Sequence, residues 1–278
     1  MFSDVNENDA RASIKAWGQT IVTERQISAV PESMLLRNQK ELEDALEQGR
    51  VDAVGLTMIE FNLVREKVRF SPIFVTVIEK RPTEQYVLLA SHGGKIHGIR
   101  DLAGARVIVQ RGPPRLCLAS VWLEDLLRTE GLPSLDQLAA STKSEIKVSK
   151  AVLPVFFGNA DACLVTRGGF DAMCELNPQV GKRLAVVATS AEWIPAVFAL
   201  RADYQSPSRE GLIQGLKELH RSTPGRQVLT VFQSDRLEEA DPALLESTLD
   251  FVRRATARPE VGATPAAQGT GAPSSATR

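Results

Sequence analysis

The sequence predicts an α/β protein built from two similar lobes. Apolar segments of strand length alternate along the chain with segments of helical periodicity, a pattern typical of parallel sheets covered by helices on both faces. One unit also occurs twice, as Gly49–Thr57 and Gly158–Thr166, with a glycine, an aspartate and a threonine at the same spacing in both copies. In a chain of 278 residues, two copies of one unit indicate two lobes, each with a core of its own.

Caps and glycines divide the first half of the chain into expected elements. A helix is expected to begin at Asn8 or Asp9, and a second helix is expected to run from Ser33 to Gly49. The segment Thr57–Glu60 is typical of a capping box that opens a third helix. Strands are expected at 27–30, 51–56, 73–78 and 86–90.

The same alternation continues through the second half. Strands are expected at 106–109, near 146, and at 162–165, 184–187 and 197–200. Helices are expected at 115–129, 152–157, near 170, and at 209–221, 225–234 and 242–255. Residues 256–278 are rich in Ala, Pro, Gly, Ser and Thr and hold too little apolar surface to order themselves. They are predicted to form a disordered tail.

Composition excludes several classes of protein. The formal net charge of -1 gives no general attraction to nucleic acid, and no apolar run is long enough to span a membrane. The three cysteines lie at no metal-binding spacing, and the common motifs for nucleotide, nucleophile and zinc chemistry are missing. We therefore expect no cofactor, no nucleic-acid partner and no enzymatic activity.

Two threonines are candidate ligand-binding residues. Thr57 and Thr166 each follow a predicted strand and open a helix, and ligands of open parallel sheets bind at the carboxyl ends of strands. The free N–H groups of a helix N-terminus suit an oxyanion. The alternative is that each threonine only caps its helix, which is worth about 1 kcal/mol.

Four further segments give the chain a family resemblance. These are Asp4–Asn6 with the helix that follows, Gly49–Ala53, Ile96–Arg106 and Gly158–Ala162. In their order and spacing they resemble the phosphonate-binding family of type 2 periplasmic binding proteins, the solute receptors of ABC importers. The resemblance covers about residues 2–255.

The resemblance implies a two-lobed fold with a hinge and a central ligand cleft. Lobe I would be residues 1–90 plus 201–255, lobe II would be residues 91–200, and the hinge strands would cross at Ala90–Ser91 and Ala199–Leu200. It also implies a periplasmic protein that binds a small oxyanion and works with an ABC permease or a sensor histidine kinase. The family begins with a strand that this chain lacks, so we expect a signal peptide and that strand to be encoded upstream of Met1. If Met1 is the true start, the acidic N-terminus indicates a cytoplasmic protein.

The segment that would hold the anion departs from the family. A hydroxyl-rich stretch of the family corresponds to Gly112–Ser120, where Arg115 and Cys117 stand instead. A histidine that the family has shortly before the segment Gly158–Ala162 is absent here, and Lys150 lies nearby. Arg115 and Lys150 can neutralise an anion. A helix N-terminus and Arg115 would both lower the thiol pKa of Cys117 and favour a thiophilic ligand, whereas an isolated cysteine is otherwise a small buried hydrophobe.

Other residues are candidates for contact with the ligand, but each can also have a purely structural role. Tyr86 can donate its hydroxyl to a ligand or simply pack on the sheet, and Arg167 can reach the cleft or face solvent. Glu192 and Trp193 can line the mouth of the cleft.

The resemblance implies three alternative functions. The first is a transport receptor for phosphate, phosphite or a phosphonate. The second is a sensory receptor for a thiophilic species such as arsenite, which reports to a histidine kinase. The third is an enzyme on the same fold, for which the three histidines form no cluster in the sequence.

Overall fold

The computed structural model describes residues 7–27, 30–112, 114–231 and 233–257. Its helices are α1 (Glu7–Glu24), α2 (Gln39–Glu47), α3 (Met58–Val64), α4 (Cys117–Thr129), α5 (Leu135–Leu138), α6 (Val148–Phe156), α7 (Arg167–Leu176), α8 (Pro178–Arg183), α9 (Arg209–Glu218), α10 (Thr223–Val231) and α11 (Pro242–Thr256). Its strands are β1 (Ala53–Thr57), β2 (Phe70–Val77), β3 (Tyr86–Ser91), β4 (Arg106–Gln110), β5 (Ser141–Glu145), β6 (Ala162–Thr166), β7 (Leu184–Thr189), β8 (Ala196–Arg201) and β9 (Arg236–Glu239).

The strands form two sheets, and the first is antiparallel throughout. Its order is β1-β8-β2-β9, and every neighbouring pair in it runs antiparallel. The expectation of purely parallel sheets was therefore wrong. The strands β1 and β2 do run in the same direction, but β8 returns from the other sheet and lies between them.

The second sheet is mixed, with the order β5-β4-β6-β3-β7. In it β4 is parallel to β5 and β6, whereas β3 is antiparallel to β6 and β7. We had placed residues 86–90 in lobe I, and this part of the assignment was wrong because Tyr86 pairs with Thr166 in the second sheet. All residues from Tyr86 to Ala90 are buried, and a uniformly apolar strand gives no sign of which sheet it joins. The remaining lobe boundaries stay a prediction.

Two short segments connect the sheets and lie against each other. Residues 78–85 lead from β2 to β3, and residues 190–195 lead from β7 to β8. The Glu84 amide donates to the Trp193 carbonyl at 2.8 Å, and the Trp193 amide donates to the Glu84 carbonyl at 3.0 Å. We call these two stretches the hinge segments. Both lie earlier in the chain than the crossings expected at Ala90–Ser91 and Ala199–Leu200, because β3 and β8 each belong to a single sheet over their full length.

Three apolar clusters form the core. The largest extends across both sheets and includes Phe61 of α3, Trp122 of α4 and Phe251 of α11. A second lies on the other face of the five-stranded sheet beneath α6 and α7, and a third joins Ile21 of α1 to the other face of the four-stranded sheet. Because one cluster is shared by the lobes, their relative placement is supported by apolar packing as well as by the hinge segments.

Several element boundaries differ from expectation. Helix α2 begins at Gln39 rather than near Ser33, because the Asn38 side chain accepts a hydrogen bond from the Glu41 amide and caps the helix there. The strand β9 was not predicted, since its four residues Arg236–Glu239 are mostly polar. The strand expected at 27–30 lies partly outside the described residues. Residues Met1–Asn6 and the expected tail from 258 onward lie wholly outside them. None of the described helices is long and apolar enough to cross a bilayer.

Candidate functional site

A small cavity lies beside the hinge segments, where they meet the residue Arg115 before α4 and the first turn of α7. It has a volume of about 30 Å³, which is room for about two water molecules. An adjoining cavity shares part of this lining and reaches Pro195. The main cavity is lined by Ile78, Glu79, Arg81, Thr83, Glu84, Gln85, Arg115, Arg167, Gly168 and Glu192. The three guanidinium groups and three carboxylates of this lining cancel in formal charge. We call it the hinge cavity.

The central contact of the hinge cavity is an ion pair between Arg115 and Glu84. The Arg115 guanidinium donates to one carboxylate oxygen of Glu84, with Nε at 2.6 Å and Nη2 at 2.5 Å from Oε2. The Glu84 side chain is only 5% exposed, whereas that of Arg115 is 33% exposed. Burial raises the pKa of the Glu84 carboxyl above its usual value, although Arg115 acts in the opposite direction. The carboxylate is thus costly to bury and depends on Arg115 as its partner.

Tyr86 holds the loop that carries Arg115. Its side chain is fully buried, and its hydroxyl donates to the Arg115 carbonyl at 2.6 Å. Burial, followed by the nearby Cys117 and Glu84, raises the pKa of Tyr86 well above its usual value. Tyr86 does not line either cavity, and its hydroxyl holds the main chain at Arg115, just before α4.

Cys117 is the first residue of α4 and is a neutral thiol. It is half-buried, and its Sγ donates to the Pro195 carbonyl at 3.1 Å. Burial raises the pKa of the Cys117 thiol to about 12. The thiol pKa is thus raised and not lowered, because the Arg115 guanidinium points to Glu84 and the helix N-terminus does not offset the loss of water. This favours the alternative of a small buried residue, and a ligand contact for Cys117 stays a prediction.

Thr57 and Thr166 both cap helices. The Thr57 hydroxyl accepts from the Glu60 amide and donates to the Glu60 carboxylate, whose Oε2 also accepts from the Thr57 amide. The Thr166 hydroxyl accepts from the Gly169 amide at 3.2 Å. The predicted capping box is present, and the capping alternative describes both threonines in this structure. That they face one ligand cleft stays a prediction.

Lys150 lies apart from the hinge cavity lining. It is exposed in the first turn of α6. The start of α6 lies beside the start of α7, since Val148 would be only 3.2 Å from a side chain built at Gly169. A ligand contact for Lys150 stays a prediction.

Sequence reasoning missed three of the charged residues around this cavity. Glu79, Arg81 and Glu84 belong to the hinge segment 78–85, which the sequence predicts only as a connection between strands. The sequence feature that could have revealed them is Glu84 itself, an acidic residue two positions before the buried run that begins at Tyr86. Arg167 and Glu192, which the sequence analysis names as candidate cleft residues, both line the cavity. The Glu192 carboxylate accepts a hydrogen bond from the Thr83 hydroxyl at 2.9 Å. Among the described residues, no group of three His, Cys, Asp or Glu side chains could hold a metal ion.

Solved structures share this fold at low sequence identity. XAC2383 from Xanthomonas citri bound to chloride ion is 16% identical, with a TM-score of 0.64 over 90% of this chain and 96% of that one. PhnD1 from Prochlorococcus marinus in complex with methylphosphonate is 12% identical, with a TM-score of 0.59 over 90% and 94%. A phosphonate-transporter binding component from Pseudomonas aeruginosa is also 12% identical, with a TM-score of 0.59 over 91% and 85%. These similarities confirm the two-lobed type 2 fold.

The family follows from a match of sequence rather than of shape. None of the curated proteins matches the chain. The family described as "ABC transporter, phosphonate, periplasmic substrate-binding protein" matches residues 23–245, which include both sheets, the hinge segments and all residues of the hinge cavity. The chain therefore belongs to the family of periplasmic substrate-binding proteins of ABC phosphonate transporters.

Proposed function

We propose that this protein captures a small phosphorus oxyanion next to the hinge cavity and delivers it to the permease of an ABC importer. The observation that carries the proposal is the position of Arg115. Its guanidinium lies beside the hinge segments and has the planar donor geometry that matches phosphate-type oxygens. Arg81 and Arg167 lie in the same lining and supply further donors.

Separation of the lobes around the hinge segments would admit the ligand. In this structure the cavity, at about 30 Å³, takes about two waters. Two backbone hydrogen bonds join the hinge segments at Glu84 and Trp193, and rotation about such a pair opens a cleft without breaking either sheet. Ligand contacts to both lobes then favour the closed state.

The remaining candidates take supporting parts in this proposal. Thr57 and Thr166 hold the N-termini of α3 and α7 in place through their caps, and each helix presents further amides to an anion. Lys150 adds positive charge at the start of α6. Tyr86 fixes the main chain at Arg115, and Cys117 acts as a neutral donor.

Transport is favoured over the sensory and enzymatic alternatives. The sensory proposal for arsenite depended on a thiolate at Cys117, and a thiol pKa of about 12 leaves that group protonated at neutral pH. The family match is to binding proteins of transporters, which gives no support to an enzyme. A periplasmic location and a permease partner follow from the same family membership and form part of the proposal.

The test is a ligand screen with two matched arginine variants. Thermal shift and calorimetry should detect binding of phosphate, phosphite or methylphosphonate to the wild-type protein, because a ligand that binds only the folded state raises the melting temperature. Arg115→Gln should weaken that binding at least about tenfold, the equivalent of one lost charge-assisted contact. Arg111→Gln is the control, since Arg111 is exposed on the same loop and does not line the cavities. If none of these ligands binds, or if both variants behave alike, the proposal fails.

A further inference from the structure

The Arg115–Glu84 ion pair places a carboxylate of the protein on the guanidinium that an oxyanion would use. Glu84 approaches with an oxygen 2.6 Å from Nε, a geometry that a phosphate oxygen also adopts with arginine. Because Arg115 is exposed by only 33% and its main chain is held by Tyr86, it has little freedom to serve two anions at separate positions.

Glu84 is equally fixed. Its amide and carbonyl are both hydrogen-bonded to Trp193 across the hinge segments, and its side chain is 5% exposed. A ligand that takes Arg115 away therefore leaves a buried carboxylate without its partner, and such a group is strongly unfavourable unless it is protonated or paired again.

We propose that Glu84 is a specificity-determining residue, an internal competitor that holds Arg115 and lowers the affinity of the site for anions. This inference rests on the proposed function, since it names how the same arginine is made available. In the absence of ligand, Glu84 neutralises Arg115, so that weakly bound anions do not displace it. A ligand is accepted only when its contacts with both lobes outweigh the loss of the internal pair.

The titration of the Glu84 carboxyl makes this competition depend on pH. Lowering the pH protonates the carboxyl and frees the guanidinium, so anion affinity should rise as Glu84 is titrated. The raised pKa of Glu84 brings this titration closer to neutral pH than for an exposed glutamate. The other charged groups that face it are Arg115 and Glu79, with Arg81, Arg167 and Glu192 around the cavity.

The experiment compares Glu84→Gln with Glu130→Gln by calorimetry, using inorganic phosphate and methylphosphonate at the same pH. Glutamine keeps the size of the side chain and removes the charge. At pH 7.5, Glu84→Gln should bind at least about tenfold more tightly than the wild-type protein, because release of a buried ion pair is no longer required. Glu130→Gln removes an equal charge from an ion pair with Arg100 that lies outside the linings of both cavities. Its affinity should change by less than about threefold, as for a screened charge.

Two further measurements separate direct competition from general electrostatics. In the double variant Glu84→Gln/Arg115→Gln the gain should vanish, since the group that Glu84 releases is gone. The ratio of wild-type to Glu84→Gln affinity should approach one as the pH is lowered through the titration of Glu84, and the titration of the ligand itself cancels in this ratio. If Glu84→Gln proves unstable, the pH dependence of the wild-type affinity for methylphosphonate can still be measured.

The outcomes distinguish this inference from the proposed function. If the wild-type protein binds phosphate and Glu84→Gln binds it equally or more weakly, the role proposed for Glu84 is overturned and the proposed function is not. A gain that persists in the double variant also overturns it. No binding by either protein overturns both proposals together.

Discussion

The hydroxyl of Tyr86 in β3 donates a hydrogen bond of 2.6 Å to the carbonyl oxygen of Arg115 in the loop before α4. One buried phenol thus satisfies a carbonyl just before a helix start that has no side-chain cap of its own. This contact fixes the main chain from which the Arg115 side chain reaches Glu84.

Removing that hydroxyl should destabilise the fold and loosen the arginine. Tyr86→Phe keeps the ring but leaves the Arg115 carbonyl without this partner, so we expect a loss of about 1–3 kcal/mol in the free energy of unfolding. Affinity for the phosphorus oxyanion should fall as well, because Arg115 is less well positioned. Urea unfolding and calorimetry measure the two effects. Tyr204→Phe is the control, since the half-buried Tyr204 side chain makes no hydrogen bond within the described residues. Equal losses in both variants would contradict this role.

Local signals in the sequence predicted the repeated unit well. Gly49 and Gly158 adopt positive φ angles of 63° and 77°, as expected of glycines that end helices. Thr57 and Thr166 cap the helices that follow β1 and β6. These features depend on residues within a few positions of one another, so the sequence contains them directly.

The pairing of distant segments could not be read in the same way. Glu84 and Arg115 are 31 positions apart, and nothing near either residue in the sequence marks them as partners. The sheet of β3 depends on contacts with β6 and β7, which follow much later in the chain. The thiol pKa of Cys117 was predicted with the wrong sign, because burial by α3 and the second hinge segment is a tertiary effect.

Chemical labelling should show Cys117 as an unreactive thiol. With a pKa of about 12, its thiolate fraction at pH 7.5 is very small, and the thiolate is the form that iodoacetamide attacks. Cys163 is fully buried and has a raised thiol pKa as well. We therefore expect Cys174, which is half-buried, to react first. Mass spectrometry of the native protein after timed labelling checks the order. Rapid modification of Cys117 at neutral pH would restore the thiolate and the arsenite proposal with it.

The Asp161–Arg106 contact should contribute stability that is lost in acid. The Asp161 carboxylate accepts from the Arg106 amide at 2.8 Å and from its guanidinium at 3.0 Å. These bonds lower the pKa of Asp161 below its usual value. A group with a lowered folded pKa stabilises the protein above its unfolded pKa, and the contribution disappears as the pH falls through the folded pKa.

Asp161→Asn should accordingly cost about 1 kcal/mol at pH 7, a modest value because the Arg106 side chain is 48% exposed and screened by solvent. The difference from the wild-type protein should shrink as the pH drops below about 4. Urea unfolding at several pH values measures it. Asp250→Asn is the control, because Asp250 pairs with Arg253 on the surface of α11 with its side chain 71% exposed. A pH-independent loss for Asp161→Asn would assign the effect to packing instead.

The stacked pair Trp193–Phe251 should be a major support of the hinge. Their ring centroids lie 3.8 Å apart with an interplanar angle of 12°, and both side chains are buried. Trp193 carries the backbone hydrogen bonds to Glu84, whereas Phe251 belongs to α11, so the stack ties the C-terminal helix to the second hinge segment. Phe251→Ala would leave a cavity beneath that segment.

We expect Phe251→Ala to lower the free energy of unfolding by about 3–5 kcal/mol, the usual cost of deleting a buried aromatic ring. Phe157→Ala removes the same ring from the end of α6, where it is 64% exposed, and should change stability by less than about 0.5 kcal/mol. Urea unfolding of both variants gives the comparison. Because loss of the stack also frees Trp193 to move, hydrogen exchange at the Glu84 and Trp193 amides should become faster in Phe251→Ala than in Phe157→Ala. Unchanged exchange at those two amides, despite lower stability, would show that the stack supports α11 and not the hinge.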